Sequence, residues 1–200
     1  MGANQGLKTD LYLGFGARVI CFEPQPHCVE LLTKKYENNQ DVAIVNKGLA
    51  KNSGQLELSI CDRADVLSTF SEQWKTGRFA SQKWDKKVMV KVTTLDEMIK
   101  TWGMPQFCKI DVEGFEYQVL QGLSQPIPYL SFEFTMEFID NTKKSIQHLI
   151  SLGYSLFNLT EEDQTKLAIS EWVSETKLFD FIESKSAHKK SLWGNIYAKY

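Results

Sequence analysis

Two carboxylates, Asp111 and Glu113, are the clearest candidates for chemistry because they end an apolar run. Alternate residues of a strand share one face, so Lys109, Asp111 and Glu113 are predicted to point the same way. Gly114 then permits a sharp turn into a helix. Since buried charges are costly unless paired or used, these acids are either structural or bind and activate a ligand. Two carboxylates without further ligands make a weak metal site, and we predict no metal.

A second cluster lies near the start of the chain, where Gly2-Ala3-Asn4-Gln5-Gly6 precedes a helical pattern. Such glycines let the backbone approach a ligand, and helix-start N–H groups bind anions. Glu23 stands 21 positions after Gly2 and follows a strand-like run. That spacing suits a carboxylate that accepts both hydroxyls of a ribose. Each feature alone is weak, because a turn or a helix-start charge would explain it, but together they favour a nucleoside ligand.

The alternative is a dinucleotide-binding site. Glu23, considered without the other motifs, is also typical of an NAD-dependent oxidoreductase. The chain's tight glycine pair, Gly14-Phe15-Gly16, is followed by Val19 where the dinucleotide fingerprint has its third glycine. The pair also falls between a helical pattern and a strand-like run. We therefore predict that it forms a turn.

The elements that must position these residues alternate between strand and helix patterns. Apolar or alternating runs predict strands at residues 18–22, 42–45, 55–61, 87–92, 107–112, 129–134, 154–159 and 192–198. Helical spacing predicts helices at residues 5–15, 27–38, 94–99, 114–123 and 142–152. This order indicates an α/β fold with a mostly parallel sheet and helices on both faces, whose last two strands could pair antiparallel. Ligands of such sheets bind beyond the carboxyl ends of the strands.

The polar stretch at residues 62–87 has no clear period and is predicted to be a long loop or a lid over an acceptor. Ser68, Trp74 and Trp84 could contact the acceptor, since aromatic rings suit the apolar faces of sugars. Alternatively, the tryptophans pack the loop against the body of the protein.

Composition limits the range of partners and locations. The chain has 200 residues, 42% of them hydrophobic, and we expect a single domain. Its 23 basic and 25 acidic residues give a net charge of −2, which argues against nucleic-acid binding. No apolar run reaches the roughly 18 residues of a membrane span. The four cysteines stand far apart without a C-x-x-C pair, which indicates reduced thiols. Because no membrane span is predicted and Lys8 and Asp10 stand where a signal peptide would be apolar, we expect a cytoplasmic protein.

The order of these motifs resembles the FkbM family of S-adenosylmethionine-dependent methyltransferases over nearly the whole chain. The segments that carry the resemblance are GANQG, VICFEPQP, VNKGLA, VTTLDEMI, CKIDVEGFE, SFEF and WGNIYA. The resemblance implies a class I methyltransferase (Rossmann-like) fold with seven strands, the last of them antiparallel. In that fold the Gly2 motif follows a buried strand, whereas only Met1 precedes it here. We therefore expect the first strand to be missing, and an incomplete, non-catalytic domain is an alternative.

The resemblance also implies roles for individual residues. The residues expected to bind S-adenosyl-L-methionine are Gly2, Asn4 and Gly6 at its amino-acid part, Glu23 at its ribose, Gly48, Leu49 and Ala50 at its adenine, and Asp111 at its methyl-donor end. The expected reaction is O-methylation of a hydroxyl on a sugar or natural product. Asp111, Glu113 and Glu133 are the candidate catalytic carboxylates, and the oligomeric state is left open.

Overall fold

A computed structural model describes residues 1–61, 64–76, 79–189 and 191–200. The chain divides into two units, each considered by itself below. Unit 1 comprises Met1–Thr94 and Asp111–Phe115, and unit 2 comprises Leu95–Ile110 and Glu116–Tyr200.

Unit 1 opens with helix α1 (Leu7–Gly14), strand β1 (Val19–Phe22), helix α2 (Pro26–Lys35) and strand β2 (Val42–Val45). The two strands pair in parallel, with Val19 opposite Val42, as the alternation of strand and helix patterns predicts. Proline suits the first turn of α2 because its fixed φ matches a helix and its missing N–H is not needed there.

A three-stranded sheet follows in unit 1, in the order β3 (Gly48–Leu49), β5 (Lys86–Thr93), β4 (Gly54–Ile60). Strand β5 pairs in parallel with β3 and antiparallel with β4. The alternation predicted for β4 is observed in part, since Leu58 and Ile60 are buried with Val90 of β5, but Ser59 between them is buried as well. The antiparallel pairing of β4 was not specified by the sequence pattern.

Between β4 and β5, the described residues of the predicted loop include two short 3₁₀ turns, Asp65–Leu67 and Gln73–Lys75, and a β-bridge from Thr69 to Ser59. Residues 62–63 and 77–78 of this loop lie outside the described residues. Trp74 is only 3% exposed and stacks on Phe79 with ring centroids 4.8 Å apart. Trp84 donates its indole N–H to the Leu67 carbonyl at 3.1 Å. The tryptophans therefore pack within unit 1, as the second interpretation of this segment proposed.

Unit 2 is built on a four-stranded sheet in the order β6 (Phe107–Ile110), β7 (Tyr129–Thr135), β9 (Trp193–Lys199), β8 (Leu156–Glu161). Strands β6 and β7 are parallel, and β9 is antiparallel to both of its neighbours. The predicted antiparallel last strand is thus confirmed. Strand β9 is not at the edge of the sheet but lies between β7 and β8.

The register gives the unit 2 sheet two different faces, because partners in a ladder project on the same side. One face is apolar and fully buried, and it carries Ile110, Leu130, Phe132, Phe134, Ile196 and Leu159. The other face is polar, and it carries Lys109, Ser131, Glu133, Thr135, Asn195, Asn158 and Thr160. Within the described part of the chain, the hydroxyls of Ser131, Thr135 and Thr160 are buried without a hydrogen-bond partner.

The described residues of unit 2 also form four α-helices: α3 (Leu95–Trp102), α4 (Glu116–Leu120), α5 (Ile139–Ser151) and α6 (Glu175–Ser186). Helix α5 contacts α4 and β7, and α6 contacts β8. The sequence pattern missed α6, whose buried apolar positions are few, although Leu178 and Ile182 lie one turn apart on its inner face. Over the described ranges, every helix is too short or too polar to cross a bilayer.

Candidate functional site

Glu23 is the best-defined polar group of the candidate site. It directly follows β1 and is 5% exposed. Its Oε2 accepts the Asn4 backbone N–H at 2.8 Å, and its Oε1 accepts the Gln25 backbone N–H at 2.9 Å. Burial raises the pKa of this carboxyl, although the two N–H groups partly oppose the rise. The structure therefore fixes an acidic side chain at the carboxyl end of β1, where the sequence predicts it.

The glycine-rich loop is tied to the same strand end. The Gly2 and Ala3 backbone N–H groups both donate to the Phe22 carbonyl, at 3.1 and 3.3 Å. Asn4 and Gly6 have φ of +46° and +85°, a left-handed conformation that favours glycine and tolerates asparagine. Together with the bond from Asn4 to Glu23, these contacts bring the loop and the acid into one site.

Gly6 is also required by its surroundings. A Cβ at this position would stand 2.5 Å from the Tyr36 hydroxyl oxygen. That hydroxyl lies 3.0 Å from the Gly6 carbonyl oxygen and 2.7 Å from Asp10 Oδ1. Tyr36 thus supports the loop from the end of α2, a role that the sequence pattern did not reveal.

Asp111 and Glu113 do not continue strand β6, which ends at Ile110. Glu113 and Gly114 instead have φ of +53° and +85°, two consecutive left-handed residues. The prediction that Lys109, Asp111 and Glu113 alternate along one strand is therefore wrong beyond Ile110. The prediction that the Asp111 and Glu113 carboxylates point the same way is confirmed, since they bring oxygen atoms within 4.8 Å of each other. The expectation that Gly114 allows a sharp turn is confirmed, and helix α4 begins at Glu116.

The backbone of Asp111 lies directly against the glycine-rich loop. A Cβ built on Gly2 would stand 1.8 Å from the Asp111 carbonyl oxygen, so no other residue fits at position 2 without a backbone shift. Gly2 also has φ of +64°. The structure thus brings Gly2, Asn4, Glu23 and Asp111 together.

Gly48, Leu49 and Ala50 form and follow β3, and all three are buried. Ala50 donates its backbone N–H to the Thr93 carbonyl at 2.9 Å. A Cβ on Gly48 would stand 2.9 Å from the Phe70 ring. Their predicted contact with adenine stays a prediction.

Glu133 belongs to unit 2, where it lies on β7 opposite Asn195 of β9. Asn195 Oδ1 accepts a hydrogen bond from Lys109 Nζ at 2.7 Å. Lys109 and Glu133 share the polar face of that sheet. The catalytic role expected for Glu133 stays a prediction.

A polar network beside Glu23 was missed by the sequence analysis. The Gln25 side chain donates to Cys28 Sγ at 2.8 Å and accepts from the Ser68 hydroxyl at 2.7 Å. Gln5 Nε2 donates to Asp65 Oδ2 at 2.9 Å. Burial raises the pKa of the Cys28 thiol to about 12, so the thiol stays protonated. The sequence feature that could have indicated this network is Gln25, a polar residue between two prolines after a buried strand.

The tight glycine pair is a turn, as predicted. Gly14 ends α1, and Gly16, with φ of +76°, donates its N–H to the Leu13 carbonyl at 2.8 Å. A Cβ on either glycine would meet no atom within 4 Å. The pair therefore gives no support to a dinucleotide site.

The chain is similar to a known protein family and to a solved structure. The family model described as the methyltransferase FkbM domain matches residues 1–156. A solved structure, the methyltransferase FkbM from Methylobacillus flagellatus, is similar to this chain with a TM-score of 0.57 at 15% sequence identity. The similarity covers 98% of this chain but 41% of the solved one. No curated protein matches the sequence.

Proposed function

This chain belongs to the FkbM methyltransferase family, and from that premise we propose that it binds S-adenosyl-L-methionine and methylates a hydroxyl group. The acceptor would be a small molecule such as a sugar or a natural product. The observation that carries the proposal is Glu23, a buried carboxylate fixed beside the glycine-rich loop. Because the chain spans 41% of the solved methyltransferase, the activity itself is part of the proposal.

The hydrogen-bond donors and acceptors of the site residues match the polar groups of this cofactor. Each Glu23 oxygen accepts one backbone N–H, and a carboxylate oxygen has a second lone pair for a hydroxyl donor. Glu23 would therefore receive the two ribose hydroxyls without losing its own support. The loop of Gly2, Asn4 and Gly6 would hold the amino-acid part, and Gly48, Leu49 and Ala50 would border the adenine.

When bound, S-adenosyl-L-methionine would supply a methyl group on a positively charged sulfur. Much of the barrier to such a displacement can be removed by holding the acceptor oxygen in line and close. Asp111 would orient the reacting groups from the end of β6. Glu113, or Glu133 on β7, would accept the hydroxyl proton, a role worth about 10²–10⁴ in rate.

The proposal also includes partners and location. The acceptor would be a small hydroxylated molecule and not a nucleic acid, since the net charge of −2 offers no basic field. The four cysteines, all described, are free thiols, which supports a cytoplasmic location.

Calorimetric titration with S-adenosylhomocysteine and, separately, with NAD tests the proposed cofactor. We expect saturable binding of S-adenosylhomocysteine and none of NAD. Glu23→Gln should weaken the binding about tenfold or more, since a charged acceptor of two hydrogen bonds is lost. Glu57→Gln is the control, because Glu57 is an exposed acid on β4 that pairs with Lys87.

Binding of NAD without S-adenosylhomocysteine would reject the methyltransferase in favour of an oxidoreductase. A folded chain that binds neither ligand would favour the non-catalytic domain. Equal binding by the Glu23 and Glu57 variants would show that the cofactor does not contact Glu23.

A further inference from the structure

The segment at residues 64–76 contacts each loop of unit 1 that carries a predicted cofactor residue. We propose that three of its side chains, Asp65, Ser68 and Thr69, are positioning residues of the cofactor site, an inference that rests on the proposed function. We call residues 64–76 the bracket segment. In this proposal it is a fixed wall of the cofactor site, whereas the sequence pattern left open a loop, a lid over the acceptor, or a segment packed on the body of the protein.

Asp65 holds the glycine-rich loop. Its Oδ2 accepts the Gln5 side-chain N–H at 2.9 Å, and its Oδ1 accepts the Val66 backbone N–H at 2.9 Å. Gln5 follows Asn4, whose backbone N–H is bound to Glu23. A bond at Gln5 therefore limits how far the loop can move from Glu23.

Ser68 holds the turn that follows Glu23. Its hydroxyl donates to Gln25 Oε1 at 2.7 Å and accepts the Cys61 backbone N–H at 3.2 Å. Gln25 is the residue whose backbone N–H binds Glu23 Oε1. Ser68 thus acts on Glu23 through Gln25.

Thr69 holds the left-handed turn at Glu113. Its hydroxyl donates to the Glu113 carbonyl at 2.6 Å and accepts the Ser71 backbone N–H at 2.9 Å. A non-glycine residue with positive φ is strained and persists only when its surroundings hold it. The bond from Thr69 supplies such support at a residue that is 44 positions away in the sequence.

Apolar and backbone contacts fix the bracket segment itself. Thr69 and Ser59 exchange two backbone hydrogen bonds of 3.0 Å, and Phe70 packs against Phe115 with ring centroids 5.4 Å apart. A Cβ on Gly114 would stand 2.6 Å from the Trp74 ring. Thr69 and Trp74, at 1% and 3% exposed, are the two buried residues that anchor the segment.

Thr69→Val tests the proposal because valine keeps the shape and removes the hydroxyl. We expect the Kd for S-adenosylhomocysteine to rise about tenfold, while Thr69→Ser stays within about threefold of the parent. Thr76→Val is the matched control, since the Thr76 hydroxyl also donates to a carbonyl, that of Gln73 at 2.6 Å, within the same segment. Ser68→Ala and Asp65→Ala should weaken binding in the same direction.

Binding is measured at a temperature where every variant is folded, so that a purely structural loss lowers Tm and leaves the Kd unchanged. Hydrogen exchange of the unliganded protein gives a second readout. Backbone amides at residues 111–115 should exchange faster in Thr69→Val than in Thr69→Ser or Thr76→Val.

The proposal is overturned if the Thr69, Ser68 and Asp65 variants bind like Thr76→Val, or if exchange at residues 111–115 is the same in all variants. Failure of the parent protein to bind S-adenosylhomocysteine would instead reject the proposed function. In that case the exchange measurement still decides whether Thr69 holds the turn.

Discussion

Glu23 illustrates how backbone N–H groups can support a buried acidic side chain. Two backbone N–H groups, from Asn4 and Gln25, take the place of the water that the carboxylate loses. The sequence predicts this acid from its position after a strand. It does not predict the supporting network, because the partners of Gln5 and Gln25 lie 60 and 43 positions away in the chain. Contacts of that span depend on tertiary structure, which local spacing does not encode.

The raised pKa of Glu23 leads to a prediction about pH. An ionised carboxylate accepts two hydroxyl donors, whereas a protonated one does not. Because burial raises its pKa, affinity for S-adenosylhomocysteine should begin to fall on acidification at a pH above the ordinary glutamate value of about 4.3. Titrations from about pH 8 down to about pH 4 measure this, with Glu23→Gln expected to be weak and insensitive to pH.

In the ligand-free protein, acidification should have the opposite effect on folding stability to its effect on ligand affinity. The native state holds the Glu23 proton more tightly than the unfolded chain, so this contribution to stability is present at low pH. It is lost as the pH rises through the raised pKa. Affinity that stays constant down to the ordinary glutamate value of about 4.3 would show that the Glu23 charge does not control binding.

At the scale of elements, the sequence predicts most strands because alternation and apolar runs reflect burial. Strand β2 has the predicted bounds, and β9 is antiparallel as expected. The error at the end of β6 has a physical cause, since the left-handed turn at Glu113 depends on Thr69 and Trp74. Helix α6 was missed because its few buried positions give a weak period.

The polar face of the unit 2 sheet yields a stability prediction. The Thr160 hydroxyl is 2% exposed and, among the described residues, has no hydrogen-bond partner. A buried unsatisfied hydroxyl costs about 1–3 kcal/mol, so Thr160→Val should raise the free energy of unfolding by about 1 kcal/mol. Urea denaturation measures the change.

Thr9→Val is the control for Thr160→Val. Thr9 is similarly buried, but its hydroxyl lies 3.1 Å from Cys21 Sγ in a hydrogen bond. Its replacement should leave stability unchanged or lower it. A loss of stability in Thr160→Val would contradict the interpretation and indicate that the hydroxyl is bonded in solution.

At the scale of the whole molecule, the order of motifs identifies the family although identity to the solved methyltransferase is 15%. The family model ends at Leu156, the first residue of β8. Strand β9 lies beyond that limit, yet it pairs with both β7 and β8 and so completes the unit 2 sheet. The structural similarity, which covers 98% of the chain, extends over this last part. A fold can therefore persist where sequence similarity to a family is no longer detected.

The left-handed backbone of Glu113 affects how the protein should evolve in the laboratory. Glycine adopts this conformation without cost and asparagine tolerates it, so both should be more stable than glutamate at position 113 by up to about 1 kcal/mol. A library randomised at this position and selected for heat resistance alone should become enriched in glycine and asparagine, as counted by sequencing. A parallel selection that requires methyl transfer should retain glutamate. Enrichment of glutamate under heat alone would mean that the turn carries no strain.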